Sequence, residues 1–322
     1  MSARVARNRC AMTDAHLVPW VAPVAAGIIL CVGAYVVAVV DELVGARTSG
    51  VPMRPSDIIA SPGRSIAREL LRQQVGTEHP DVLLARLAPA LLFALAALGL
   101  SIVPLSATVS IADLPTGIVV WGAVEALTII LMFTAGWSSN SMQPMIAGYR
   151  YVAIGFSVLL LSMFALIAVA VHAGSLNVRA IVDDQAGLWN VVRQPLGLPL
   201  FVIVALGITS WGPMNLASGS DLGGGITAEW SGAQYALWAL SRRSLLVSFA
   251  AMSAAVFLGG WHGPWVPGAV WMAVKTVTML VVFVALGHRL ARVSAERMLS
   301  LCWVVLLPVA FLDLAIAGLE SL

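Results

Sequence analysis

The chain has 322 residues, of which 60% are hydrophobic and 11% charged, and its mean hydropathy is +0.92. Soluble domains carry about a quarter charged residues, so the composition excludes a soluble globular protein and makes the lipid bilayer a partner. A net charge of only +2 gives no reason to expect nucleic acid.

The first residues, MSARVARNRCAMTDAH, form a polar tail over 1–16. The apolar stretch behind it is longer than a cleavable signal core and long enough to span a bilayer, so it reads as a retained helix. A bilayer core takes about 20 apolar residues per helix. Eight stretches qualify: 17–40, 84–106, 115–136, 147–171, 192–211, 244–261, 268–290 and 299–319. They are continuous rather than alternating, and a helix satisfies its own backbone in lipid. The expectation is an all-α integral membrane protein of about eight transmembrane helices, with one membrane domain over 17–322.

Two long connections interrupt it, at 41–83 and 211–243. In the first, SPGRSIARELLRQQ (61–74) is expected to be helical, with Ile66, Leu70 and Leu71 on one face and three arginines nearby. That suits a helix lying in the membrane interface or one packed on a partner. An even number of spans puts both termini on one side. The odd-numbered connections and adjoining helix ends carry twelve arginines (Arg47, Arg54, Arg64, Arg68, Arg72, Arg86, Arg150, Arg242, Arg243, Arg289, Arg292 and Arg297). The other side carries five (Arg4, Arg7, Arg9, Arg179 and Arg193). By the positive-inside rule the long loops are cytoplasmic and both termini lie on the outer side.

Cys10, Cys31 and Cys302 have no metal-ligand spacing and the five histidines are scattered, so no metal centre is expected in this chain. There is no Walker A, HExxH or GxSxG sequence. Ionisable residues inside spans are costly and functional by default. Glu125, within GAVEALTII (122–130), is a candidate proton-relay carboxylate. Its other reading is a carboxylate paired with Lys275 or Arg150, or kept protonated by burial. Lys275, the single lysine of the chain, is the second proton-path candidate. Asp313, near the outer end of the last span, is expected to reach water. The loop GPMNLASGSDLGGGITAEWSG (212–232) reads as flexible backbone, because it lacks the Lys and Ser/Thr of a phosphate loop.

Several segments together resemble one family. AGWSSNSMQPMIAGYR (135–150), AEWSGAQYALWAL (228–240), FLGGWHGP (257–264), WMAVKTVTMLVVFV (271–284) and LCWVVLLPVAFLDL (301–314) are similar, in order and spacing, to the NuoH family of proton-pumping NADH:quinone oxidoreductase (complex I). LLARLAPALLFALAALGLSIVPL (83–105) fits the second span of that family. The resemblance implies a membrane-arm subunit in a bacterial or archaeal inner membrane. Its partners would be hydrophilic iron–sulfur subunits and antiporter-like membrane subunits. The chain would bind no cofactor of its own, and quinone would lie at an interface with a partner. Arg150, Asn215, Asp221 and Glu229 match the family's quinone-loop and coupling region.

Departures are local. Ile208, Asn215 and Leu159 stand where the family has carboxylates, and GARTSGVPMRPSD (45–57) replaces an arginine-and-glycine run. A thinned acid file puts proton coupling in question, and two alternatives follow. One is the related membrane anchor of an energy-converting hydrogenase or formate hydrogenlyase, which would bind no quinone. The other is an independent multi-helix transporter, disfavoured by the lack of an internal repeat.

Overall fold

The computed structural model describes residues 15–16, 21–50, 54–74 and 76–320. Most of the 1–16 tail and the start of the first expected span lie outside them. Residues 15–16 (β1) pair in parallel with Val109–Ser110 (β2). All other regular structure is helical: α1 Val21–Ser49, α2 Pro55–Leu71, α3 Val82–Ile102, α4 Gly117–Ser138, α5 Met142–Ala173, α6 Val178–Asp184, α7 Asn190–Arg193, α8 Gly197–Ile208, α9 Gly232–Phe257, α10 Gly268–Arg289 and α11 Ala295–Glu320.

Among the described residues, seven helices are long and apolar enough to cross a membrane, and α8 is a shorter apolar one. At about 1.5 Å per residue, its 12 residues cover only about 18 Å. It still runs from one side of the bundle to the other. Gln194, just before it, donates to Ala165 O in the C-terminal half of α5, whereas Ile208 O at its end accepts from Tyr151 near the α5 start. Seven long helices plus α8 therefore make the expected eight passes.

The passes alternate between two faces. On one, Asp81 N bonds Ser138 O, Ser231 Oγ bonds Gln73 O, and His288 meets Asp41. On the other, Ile118 N bonds Leu176 O, Gln185 bonds Ala255 O, and His172 meets Glu320. The start of α1 and the end of α11 both belong to this second face, as eight passes require. The first is called here the loop face.

Local chemistry sets the helix ends. The Asp81 carboxylate caps α3 by accepting from Leu84 N at 3.1 Å, and Asn177 caps α6 through Ala180 N. Gly174, with φ 60°, ends α5 in a left-handed turn. A π turn at Cys302–Leu306 interrupts α11 just before Pro308, whose missing N–H breaks the ladder.

The centre of the bundle is α9. Of its most apolar window 83% is buried, against 17–56% for the other long helices. Its serines let it approach α3 closely: Ser241 Oγ donates to Pro89 O at 2.8 Å and Ser248 Oγ to Ala96 O at 2.7 Å. Pro89 has no N–H to give Ala85 O, and Gln234 Nε2 of α9 supplies that bond instead. The sixth pass thus starts at Gly232 rather than 244, and Arg242 and Arg243 lie inside it rather than in a loop. Arg150 likewise lies within α5. Without these three the loop face still holds nine arginines, against Arg179 and Arg193 on the other face among the described residues.

Candidate functional site

The 212–231 loop is built rather than slack, contrary to the expectation of flexible backbone. Three short 3-10 turns shape it, the first packed on α10 and α8 and the other two on α5. Gly223, Gly224 and Gly225 all take positive φ, of 60°, 109° and 59°, a region open mainly to glycine. A Cβ on Gly225 would fall 2.0 Å from Ala217 O. The glycine run is what allows the loop to double back on itself.

That fold gathers most of the expected loop residues. Asp221 Oδ2 accepts from Arg150 Nη1 at 2.6 Å, and this bond holds the Asp221 carboxyl below its ordinary 3.8. Glu229 Oε1 accepts from Ser141 Oγ at 3.0 Å, at the turn between α4 and α5. Asn215 Oδ1 accepts from Ser218 N, three residues on, and tightens the turn there. Arg150, Asn215, Asp221 and Glu229 therefore all belong to the loop face. Ile208 and Leu159 hold no polar role there: Ile208 is fully buried and Leu159 packs on the core.

The two proton-path candidates lie elsewhere and apart. Glu125 is fully buried in α4. Its Oε1 accepts from Trp121 Nε1 at 2.7 Å and Ser162 Oγ at 2.8 Å, and its Oε2 has no partner. Neither Lys275 nor Arg150 is paired with it, which removes the ion-pair reading. Lys275 is buried near the start of α10, on the face opposite the loop. Its Nζ donates to Gly260 O at 2.9 Å and His262 O at 2.6 Å, and lies 4.4 Å from the Trp189 ring centroid. This lysine pins the GGWHGP turn through two of its three donors, a structural task.

Asp313 corrects another expectation. It does not reach water: it is 3% exposed and accepts from Gln194 Nε2. A buried carboxylate needs such a donor, and the amide lies over a hundred residues away in sequence, which no pattern within α11 could reveal.

Sequence reasoning also missed Tyr151 and Arg242. The Tyr151 hydroxyl donates to Ile208 O at 2.7 Å, and Arg242 donates to Thr209 O and Ser210 O at 3.4 and 2.5 Å. Together they satisfy carbonyls left open at the end of α8, and a cation suits that end of a helix. The only sequence signal was a pair of arginines in an otherwise apolar helix.

An apolar cavity of about 280 Å³ opens between α1, α2 and α9 on the loop side. Ile66 and Leu70 of α2 line it, with Ala34 and Tyr35 of α1 and Ala236 and Arg243 of α9. The amphipathic helix expected at 61–74 is thus present, begins earlier, and turns Ile66 and Leu70 toward this cavity, while Leu71 is left exposed.

Comparison with known proteins follows the same lines. A family model described as NADH dehydrogenase matches residues 16–318. The NuoH subunit of NADH-quinone oxidoreductase from Anoxybacillus flavithermus is 32% identical over 259 residues, covering 79% of this chain and 78% of the relative. Its counterpart from Brevibacillus brevis is 29% identical over 259 residues, covering 79% and 77%.

Proposed function

The chain belongs to the NADH dehydrogenase family of membrane subunits, matched over residues 16–318, and from that membership we propose its task in a redox complex. It is the membrane-arm subunit of a complex I-like oxidoreductase. Its loop face docks a hydrophilic iron–sulfur arm, and antiporter-like membrane subunits pack on its flanks. The names of its relatives favour this reading over a hydrogenase anchor.

The observation that carries the reading is the apolar cavity beneath α2. An isoprenoid quinone needs an apolar route from lipid to a redox centre held outside the membrane. Ile66, Leu70 and Ala236 supply apolar walls, and Tyr35 and Arg243 put polar groups among them. Sites of this make-up, apolar with a few convergent polar groups, suit a small molecule whose head must be oriented. The Tyr35 hydroxyl is itself anchored on Ile59 O at 2.6 Å, which holds α2 on α1 and sets the width of the gap. The chain supplies walls and orientation, while electron transfer belongs to the partner.

In this reading Glu125 carries protons between redox site and neighbouring subunits. Its burial and its bare Oε2 leave a carboxylate inside the bundle with one oxygen unengaged by any donor. Mild-detergent affinity purification from native membranes, with mass spectrometry of what accompanies the chain, tests the proposal. Co-purification of cluster-binding and antiporter-like subunits is expected. A chain that purifies alone would reduce the relationship to ancestry without the assembly.

A further inference from the structure

A second cavity, of about 290 Å³, lies on the loop face where the ends of α8 and α10 meet α1 and α9. We propose that it is a binding site for one oxyanion, a phosphate or carboxylate group, held by Arg242, Ser210 and Asn215. The proposal stands apart from the redox reading and does not depend on it.

Arg242 is half-buried and lines the cavity. Its bonds go to neutral carbonyls, those of Thr209 and Ser210. Among the described residues no carboxylate lies within ion-pair distance of it. A guanidinium has five N–H donors in a fork that fits a carboxylate or phosphate edge, and two of its nitrogens are engaged here. A cation withdrawn from water without an anion is costly, so the remaining donors call for one.

Independent evidence comes from Ser210. The residue lines the same cavity, and its hydroxyl is fully buried with no hydrogen-bond partner. Buried hydroxyls are rarely left so. Asn215 adds an amide whose oxygen is engaged by Ser218 N, leaving its NH2 end to donate. Arg292 also lines the cavity, and its charge acts on Asp221 as well. Asp41 is the one acid among the lining residues, and it is bonded to His288 at 2.7 Å. With Asp41 engaged by His288, no acid among the lining residues is left to pair with Arg242. Gly212 and Gly287 close its wall backbone to backbone: a Cβ on Gly212 would lie 2.4 Å from Gly287 Cα.

The same chemistry has two sources, free phosphate and the headgroup of an anionic phospholipid. The test uses the chain as purified from native membranes with whatever accompanies it, stripped of lipid in detergent, and follows its loss from solution on heating. Inorganic phosphate is compared with chloride at matched ionic strength, and phosphatidylglycerol vesicles with phosphatidylcholine vesicles. Wild type is expected to gain a concentration-dependent rise in midpoint. R242Q and S210A should each weaken the apparent affinity, R242Q by about tenfold or more. A rise with phosphate assigns the free ion, and a rise with phosphatidylglycerol alone assigns the lipid. The proposal is overturned if neither probe outdoes its control, or if the rise is unchanged in the variants. Should R242Q fail to assemble, S210A decides, since it removes only one hydroxyl.

Discussion

Glu125 illustrates how far one residue's role follows from its surroundings. One oxygen takes both donors, from Trp121 and Ser162, and the other takes none. A glutamine keeps an oxygen for those donors and loses the proton. Glu125→Gln is therefore expected to leave assembly and quinone reduction measurable while abolishing proton uptake into proteoliposomes. Unchanged proton uptake would remove Glu125 from any path. Asp221 makes a different prediction. Arg150 lowers its pKa, so the stabilisation is present above the ordinary carboxylate value of 3.8 and is lost as pH falls through the lower folded value. The pair is largely exposed to solvent, so Asp221→Asn should cost no more than about 1 kcal/mol. Thermal midpoints of the variant and wild type should differ by a constant small amount from about pH 5 to 8 and converge only below about pH 4. At this scale the sequence was a partial guide. It flagged Glu125, Lys275 and Asp313 as ionisable groups in apolar runs. It could not supply their partners, because Ser162, the Gly260 carbonyl and Gln194 come from other parts of the chain.

Among the elements, the loop after α8 and the start of α9 were the hardest to read, for physical reasons. Glycine-rich polar sequence is common to flexible linkers and to tight turns. Only the Gly225 contact with Ala217 O distinguishes them here. Gly225→Ala forces a side chain into the left-handed region, at about 1–2 kcal/mol, and into a backbone oxygen. The loop should detach, and limited proteolysis should cut within 212–231 in the variant and not in wild type. Gly63→Ala is the contrasting case. Nothing lies within 4 Å of its added methyl and the residue sits inside α2, so it should be neutral or stabilise by up to about 1 kcal/mol. The apolar stretch of α9 was visible, but its first half was not, because Gln234, Arg242 and Arg243 lower the local hydropathy of a helix buried by its neighbours. The cavity beneath α2 is where these elements meet. Ala236→Trp should fill it, reducing electron transfer to a long-chain quinone at least about tenfold. Oxidation of the hydrophilic arm by a water-soluble acceptor should not change. Equal loss of both activities would place the damage in assembly rather than in the cavity.

For the whole molecule the central fact is the division into two faces, with the loop, α2, both cavities and at least nine of the arginines on one of them. The eight-pass count was legible because most passes are long apolar runs, and α8 was counted although it is short, since the whole 192–211 stretch carries a single charge, Arg193. Which face is cytoplasmic rests on charge alone. Arginine resists transfer across the membrane, so the face holding nine should be the one retained inside. Single cysteines place this under test. In a background lacking Cys10, Cys31 and Cys302, Arg64→Cys puts a thiol on the exposed side of α2, and Ala186→Cys puts one on the opposite face. A membrane-impermeant maleimide should label position 186 in right-side-out vesicles and position 64 only in inverted ones. The reverse pattern would turn the molecule over. The loop, its Arg150–Asp221 tie and the cavity under α2 would then face away from any cytoplasmic electron donor. The docking of a hydrophilic redox arm on that face would fall with them, whereas the oxyanion site, which needs only Arg242 and its neighbours, would stand.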